Sequence, residues 1–464
     1  MASPTWAADA KARTERPNFV VILADDLGYG DLACYGNPII KTPHLDRLAQ
    51  EGLKLTSCYA GACNCSPSRC AMLTGRNPYR AGIYNWIPED SPVHLRKTES
   101  TIAKLLQQAG YSTVLVGKWH LNGKFNAPDH PQPNAHGFDY WFATQNNAEP
   151  SHHEPVNFVR NGKPVGPLQG YSSTIIVDEA IHWLKEVRKD DAKPFALFVW
   201  LHAPHEPIAT PEKFTSMYPK VETPSQAVYY GNVTMLDDEV GRLLKTLDDL
   251  KLRDNSMVFF TSDNGPAHRV KHPHGVATPL RGKKNHLYEG GIRVPGIVRF
   301  PARIKPGVSD EPLGFVDLLP TTCELAGITI PENHPKLDGA SFVPVFEDKP
   351  IVRTTPLYWQ MNRSDEKPKV AMRVGDWKLL ATLTGPELKP AAGDKEGDLD
   401  IMKKAELDRF ELYNLKDDIA ESKDLAEKEP EKLKTLTEQM RKLYDEIKKE
   451  GPMWPAWERP KKPK

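Results

Sequence analysis

Apolar residues along this chain fall into two patterns. Asn18-Phe19-Val20-Val21-Ile22-Leu23-Ala24, Ser112–Val116, Phe195–Leu201, Met257–Thr261 and Gly296–Phe300 are short, nearly continuous apolar runs. Runs of that length without alternation predict strands buried on both faces. Between them apolar positions recur at helical spacing. Thr42-Pro43 opens one such segment, with Leu45, Leu48 and Ala49 on one face and Gly52 closing it. Thr101–Ala109 ends at Gly110, Ser173–Arg188 turns Ala180, Trp183, Leu184 and Val187 inward, and 226–250 forms a long helix. Caps, prolines at the starts and glycines at the stops support these assignments. Strand and helix in alternation predict an α/β fold with a large, mostly parallel central sheet flanked by helices.

The pattern changes after about residue 345. Lys369–Val374 and Trp377–Thr382, joined by Gly375-Asp376, predict a hairpin with a two-residue turn. Pro386–Asp400 reads as a loop, Glu411–Leu415 as one more strand, and Pro430–Lys449 as an amphipathic helix presenting Leu433, Leu436, Met440 and Leu443. The expected organisation is a tail over residues 1–16, a catalytic domain over 17–345 and a smaller C-terminal α+β subdomain over 346–464.

Charge narrows the partners. Lys+Arg and Asp+Glu both number 61, so no basic excess is available for nucleic acid. No apolar run approaches a membrane span. Small residues at positions 2–10 look like a signal-cleavage region whose apolar segment is missing, so a periplasmic or secreted location is expected. Setting Cys65 aside leaves Cys34, Cys58, Cys63, Cys70 and Cys323, an odd number, so in a monomer at least one stays unpaired.

In open sheets of this kind ligands gather beyond the carboxyl ends of the strands. Four strands here end in polar residues: Asp25-Asp26, Lys118-Trp119-His120, His202 through Pro207, and Asp263-Asn264. Asp25, Asp26, Asp263 and Asn264 are oxygen ligands, which select a hard cation, Ca2+ or Mg2+, over zinc. Lys118 and His120 point the same way if the extended path continues. Cys65 through Gly75 reads as a helix, with Ser66 as cap, Pro67 at the first position and Gly75 at the end. Its N-terminus suits an anion; Cys65 stands just outside it and Arg69 one turn along. Cys58, Cys63, Cys65 and Cys70 also admit a metal knuckle or disulfide nest, although no Cys-x-x-Cys pair is present.

Cys65-Ser66-Pro67-Ser68-Arg69 resembles the Cys-x-Pro-Ser-Arg signature of the type I sulfatases, in the alkaline phosphatase superfamily. The run Cys65 to Tyr84 looks closest to the galactosamine-6-sulfatase and arylsulfatase A group. The resemblance implies that a formylglycine-generating enzyme or maturase oxidises Cys65 to formylglycine, whose hydrate is the nucleophile. It implies one Ca2+ held by Asp25, Asp26, Asp263, Asn264 and the modified Cys65. Lys118 and Lys284 would bind sulfate, with Lys283 as the alternative to Lys284, and Arg69 and His120 would serve the hydrate. His205, in Pro204-His205-x-Pro207, would protonate the leaving alcohol, with His202 as its competitor. The expected substrate is a sulfated sugar. Trp86 and His153 are the foremost candidates to ring it, beside His152, Trp359 and Arg363. Two other readings share the pattern: a phosphate-ester or phosphonate hydrolase of the same superfamily, and a silent sulfoglycan-binding homologue.

Overall fold

Asn18–Ala24 lies inside a ten-stranded sheet, and its apolar run is buried along its whole length. Across the sheet the strands are Gly307–Ser309, Leu53–Leu55, Gly296–Arg299, Ser256–Ser262, Asn18–Ala24, Phe195–Trp200, Ser112–Lys118, Tyr140–Thr144, Val159–Arg160 and Lys163–Pro164. This computed structural model describes residues 16–458 apart from 191, 269–270, 364–366, 368 and 389–396. The expected tail, except Arg16, and part of the 386–400 loop lie outside the described residues.

From Ser256–Ser262 to Tyr140–Thr144 the strands run parallel. Alternation along Asn18–Ala24 splits its side chains between two layers. Phe19, Val21 and Leu23 pack with residues of the helices Cys65–Thr74, Ile102–Gln108 and Leu318–Ala326. Val20, Ile22 and Ala24 pack with Pro43–Glu51, Ser172–His182 and Pro224–Asp249. Full burial of each large aliphatic or Phe side chain stabilises by about 1.5–3 kcal/mol. Among the described residues no helix is long and apolar enough to cross a membrane.

Gly296–Arg299 runs antiparallel to Ser256–Ser262. Among its described residues the connection between them contains only the short helix Glu289–Ile292, too little to cross a sheet face, so the chain re-enters from the end it left.

A second, antiparallel sheet orders Leu357–Met361, Lys369–Val374, Trp377–Leu383 and Leu407–Asn414. Its hairpin turns at Gly375, whose φ of +56° is the conformation glycine adopts without cost. Pro430–Glu450 lays Leu436, Met440, Leu443 and Ile447 against it. Leu357–Met361 was not among the expected strands. It buries Trp359, which donates from Nε1 to the Ala60 carbonyl at 2.8 Å and packs with Tyr59 and Leu380, so this tryptophan is a core residue. Arg363 is likewise buried, with Asp398 2.5 Å away.

Candidate active site

Strand register builds the site. Ala24 pairs with Ser262, and Leu23 and Gly117 both pair with Trp200, so four neighbouring strands end nearly level. Asp25-Asp26, Asp263-Asn264, Lys118 and the 202–207 loop therefore leave one edge together. The Asp26 N–H donates to Asp263 Oδ1 at 3.2 Å and Asn264 Nδ2 donates to Asp26 Oδ1 at 2.7 Å.

Cys65 arrives from the Cys65–Thr74 helix. The helix begins earlier than its sequence suggests. Asn64 occupies the cap position and Cys65 is the first helical residue, not a neighbour outside the end. Ser66 does not cap; its Oγ accepts the Ile87 N–H at 3.0 Å. Gly75 closes the helix in the left-handed region as expected. Arg69 turns back from the helix, donates to Asp263 Oδ2 at 2.8 Å and to the Lys118 carbonyl at 2.9 Å, and lies over the Trp200 ring.

The charged groups interlock. Lys118 Nζ is 2.6 Å from Asp25 Oδ2, and Lys284 Nζ is 2.6 Å from Asp26 Oδ1 and 3.4 Å from Cys65 Sγ. The Lys284 loop is pinned there because the Lys284 N–H donates to Pro266 and the Asn285 N–H to Cys63. Burial opposes ionisation of Asp26, but Lys284 and His205 hold it well below the usual carboxylate range. Burial and the Asp25 carboxylate push Asp263 up, against Arg69 and Lys118. Burial also raises the Cys65 thiol to about 11 despite both lysines, so at neutral pH the sulfur is a protonated thiol and a poor nucleophile.

These residues fit a hard cation. Asp25 Oδ1 and Asn264 Oδ1 are buried and accept no hydrogen bond. Atoms of Asp25, Asp26, Cys65 and His205 lie within 4.8 Å of one another. Asp263 beside them also accepts from Arg69 and the Asp26 N–H, and His205 lies in the same cluster. Asp25, Asp26 and Asp263 balance Arg69, Lys118 and Lys284, so a divalent cation would leave the site positive and receptive to an anionic ester.

The histidines separate by environment. His120 has φ of +53°, so the extended path ends at this residue. Its Nε2 lies 3.1 Å from the Ile87 carbonyl and its Nδ1 has no hydrogen-bond partner. Burial, Lys118 and Arg69 keep the ring neutral, so Nδ1 is left as a lone-pair acceptor. His205 Nδ1 bonds the Glu206 carbonyl, and Nε2 is 3.6 Å from Asp26 Oδ2. Burial brings His205 down to about 3, with Asp26 opposing and Lys284 and Lys118 assisting. His202 is a buried scaffold residue whose Nε2 meets Thr144 Oγ1 at 2.9 Å and the Asn146 carbonyl at 3.0 Å.

At the rim, the half-buried Trp86 ring is 6.4 Å from that of His120. His153 faces away: it is exposed and packs on Tyr171. The β-bridge between His153 and Tyr171 sends the adjacent His152 the other way, against His202. Asp31 had no role in the sequence reading. It is fully buried, accepts from the Gly28 and Val276 N–H groups and from Tyr229, and fastens the loop after Asp25-Asp26.

Comparison with known proteins shows the family. A family model described as Sulfatase matches residues 17–328, and one described as N-sulphoglucosamine sulphohydrolase, C-terminal, matches 282–388. N-acetylgalactosamine-6-sulfatase of Homo sapiens is 34% identical over 376 residues, covering 74% of this chain and 69% of that protein. Steryl-sulfatase of Homo sapiens is 33% identical over 422 residues, covering 74% and 72%. Among solved structures, Ps i-CgsB in complex with k-i-k-neocarrahexaose superposes with a TM-score of 0.80 at 27% identity, covering 93% of each chain. The chain thus belongs to the sulfatase family and is a sulfuric ester hydrolase.

Proposed function

We propose that this enzyme removes sulfate from an O-sulfated carbohydrate, using formylglycine made from Cys65 and one Ca2+, with Mg2+ as the alternative ion. The observation that carries the reading is the buried Cys65 thiol, 3.4 Å from Lys284 Nζ, inside a ring of three carboxylates and three cations. A thiol held protonated by burial is the wrong nucleophile, which favours its replacement. An aldehyde at this position would supply a hydrate hydroxyl as the attacking oxygen. Asp25, Asp26, Asn264 and Asp263 would hold the cation, which when bound draws charge from the sulfuryl oxygens.

The remaining roles belong to the chain itself. Lys118 and Lys284 seat the sulfuryl oxygens, and Arg69 fixes Asp263 and the end of the Lys118 strand. His120 would accept at Nδ1 the proton that the hydrate gives up. His205 gives its Nε2 proton to the ester oxygen as the S–O bond breaks, and the electron pair stays with the departing alcohol. The resting imidazole is neutral, so this role depends on the substrate. Burial and the two lysines disfavour the imidazolium, and sulfate bound to Lys118 and Lys284 would cancel the lysines' share.

A sugar leaving group is favoured by the likeness to N-acetylgalactosamine-6-sulfatase and to a structure that holds a carrahexaose. A maturing enzyme acting on Cys65 and an exported location accompany the reading. Mass spectrometry of the Cys65 peptide is expected to show a loss of about 18 Da for thiol-to-aldehyde conversion. Sulfate release from sulfated monosaccharides should then exceed phosphate release from the matching phosphates, and Cys65→Ala should abolish it in a folded protein. An unmodified thiol in active enzyme, or comparable turnover by Cys65→Ala, would refute the proposal.

A further inference from the structure

Two loops meet beside His205 at one oxygen atom. The Glu206 carbonyl is bonded by His205 Nδ1 and also accepts from Asn147 Nδ2 at 3.2 Å. Asn147 comes from a different part of the chain, the loop after the Tyr140–Thr144 strand. It is braced in turn. Asn157 Nδ2 donates to the Asn147 carbonyl at 3.0 Å, and Asn157 Oδ1 accepts the Glu149 N–H at 2.9 Å. The preceding residue is anchored too, because the Asn146 carbonyl accepts from Thr144 Oγ1 at 2.8 Å and lies 3.0 Å from His202 Nε2.

A carbonyl next to a histidine in a loop can swing with that histidine, so on its own it fixes little. A second donor, mounted on a neighbouring braced loop, removes that freedom. We propose that Asn147 is a positioning residue for His205: by pinning the Glu206 carbonyl it commits Nδ1–H and keeps Nε2 aimed at the ester oxygen. The inference rests on His205 being the proton donor. With Nδ1–H committed to the carbonyl, Nε2 is the nitrogen that takes up the proton as the imidazolium forms and then gives it to the ester oxygen. A misaligned ring slows proton transfer without disturbing the lysines that hold sulfate.

Proton donation matters most when the departing oxyanion is basic. The test is therefore a series of aryl sulfates, from nitrophenyl sulfate, with an acidic leaving phenol, to unsubstituted phenyl sulfate, together with a sulfated monosaccharide. The enzymes are the mature wild type, Asn147→Ala, Asn147→Asp and His205→Ala. Asn147→Ala should lose about tenfold in kcat/KM on the sugar sulfate and least on nitrophenyl sulfate, steepening the dependence on leaving-group pKa. Asn147→Asp, nearly isosteric but lacking the donor, should do the same, which keeps the test open if the alanine variant folds poorly. His205→Ala should steepen the dependence further. Equal losses by both Asn147 variants across the series, or no loss, would overturn the inference while leaving His205 as the acid. An unchanged slope in His205→Ala would overturn the proton-donor assignment and the inference with it.

Discussion

Lys378→Met should expose how the small sheet supports the Lys284 loop. Lys378 lies in the Trp377–Leu383 strand and is fully buried. Its Nζ sits 2.8 Å from Glu289 Oε1 and 2.8 Å from Glu421 Oε1, and neither carboxylate is exposed. Glu289 opens the short helix that follows the Lys284 loop, and its N–H donates to Glu421 Oε2 at 2.6 Å. Methionine keeps the volume and removes the cation, leaving two carboxylates crowded in a dry cluster where Arg293 still reaches Glu289 at 3.2 Å. Breaking a buried pair in this way costs about 3–5 kcal/mol. For 464 residues the unfolding entropy is about 1 kcal/mol/K, so the melting temperature should fall by about 3–5 °C. The pH dependence gives a sharper readout. Burial raises Glu421 from 4.5 to about 7, with Lys378 opposing. The folded chain then holds the extra proton over that interval, and this group's contribution to stability declines as pH rises through it. Without Lys378 the rise is larger, so the deficit should be greater at about pH 8 than at about pH 5. Thermal melts of both proteins at the two pH values test this, and adding Glu421→Gln should recover much of the loss. A deficit under about 1 kcal/mol, or one independent of pH, would refute the reasoning.

Other perturbations address the site itself. Arg69→Lys keeps a charge but loses the fork that spans Asp263 and the Lys118 carbonyl, so sulfate release should fall by about a hundredfold, with the melting temperature measured alongside. Chelation should remove activity, with recovery on adding Ca2+ or Mg2+, and full activity after exhaustive chelation would contradict the oxygen-ligand reading. Asp31→Asn replaces an acceptor of three hydrogen bonds by a group with one acceptor oxygen, at a cost of about 1–3 kcal/mol in a urea titration. Burial raises Asp31 to about 7, so its contribution in the wild type should decline as pH climbs from the ordinary carboxylate range through that value.

What the sequence determined by itself was local. Continuous apolar runs such as Asn18–Ala24 admit one environment, a strand covered on both faces, and the Gly375-Asp376 turn leaves the Lys369–Leu383 hairpin little alternative. Short-range rules also set apart the strand-end residues, because in a parallel sheet polar groups at that edge share a cleft. Tertiary structure decided what depends on neighbours distant in the chain. Whether Cys65 was a helix's first residue or its flank, whether His152 or His153 turned inward, and where Leu357–Met361 paired were settled by contacts with Ile87, Tyr171 and Lys369–Val374. Asp31 and Asn147 carry no signature because their partners, Val276 and Glu206, are ordinary residues whose backbone groups come near only when the sheet assembles. Periodicity encodes which face is buried; a hydrogen bond between loops is encoded only by the fold that brings them together.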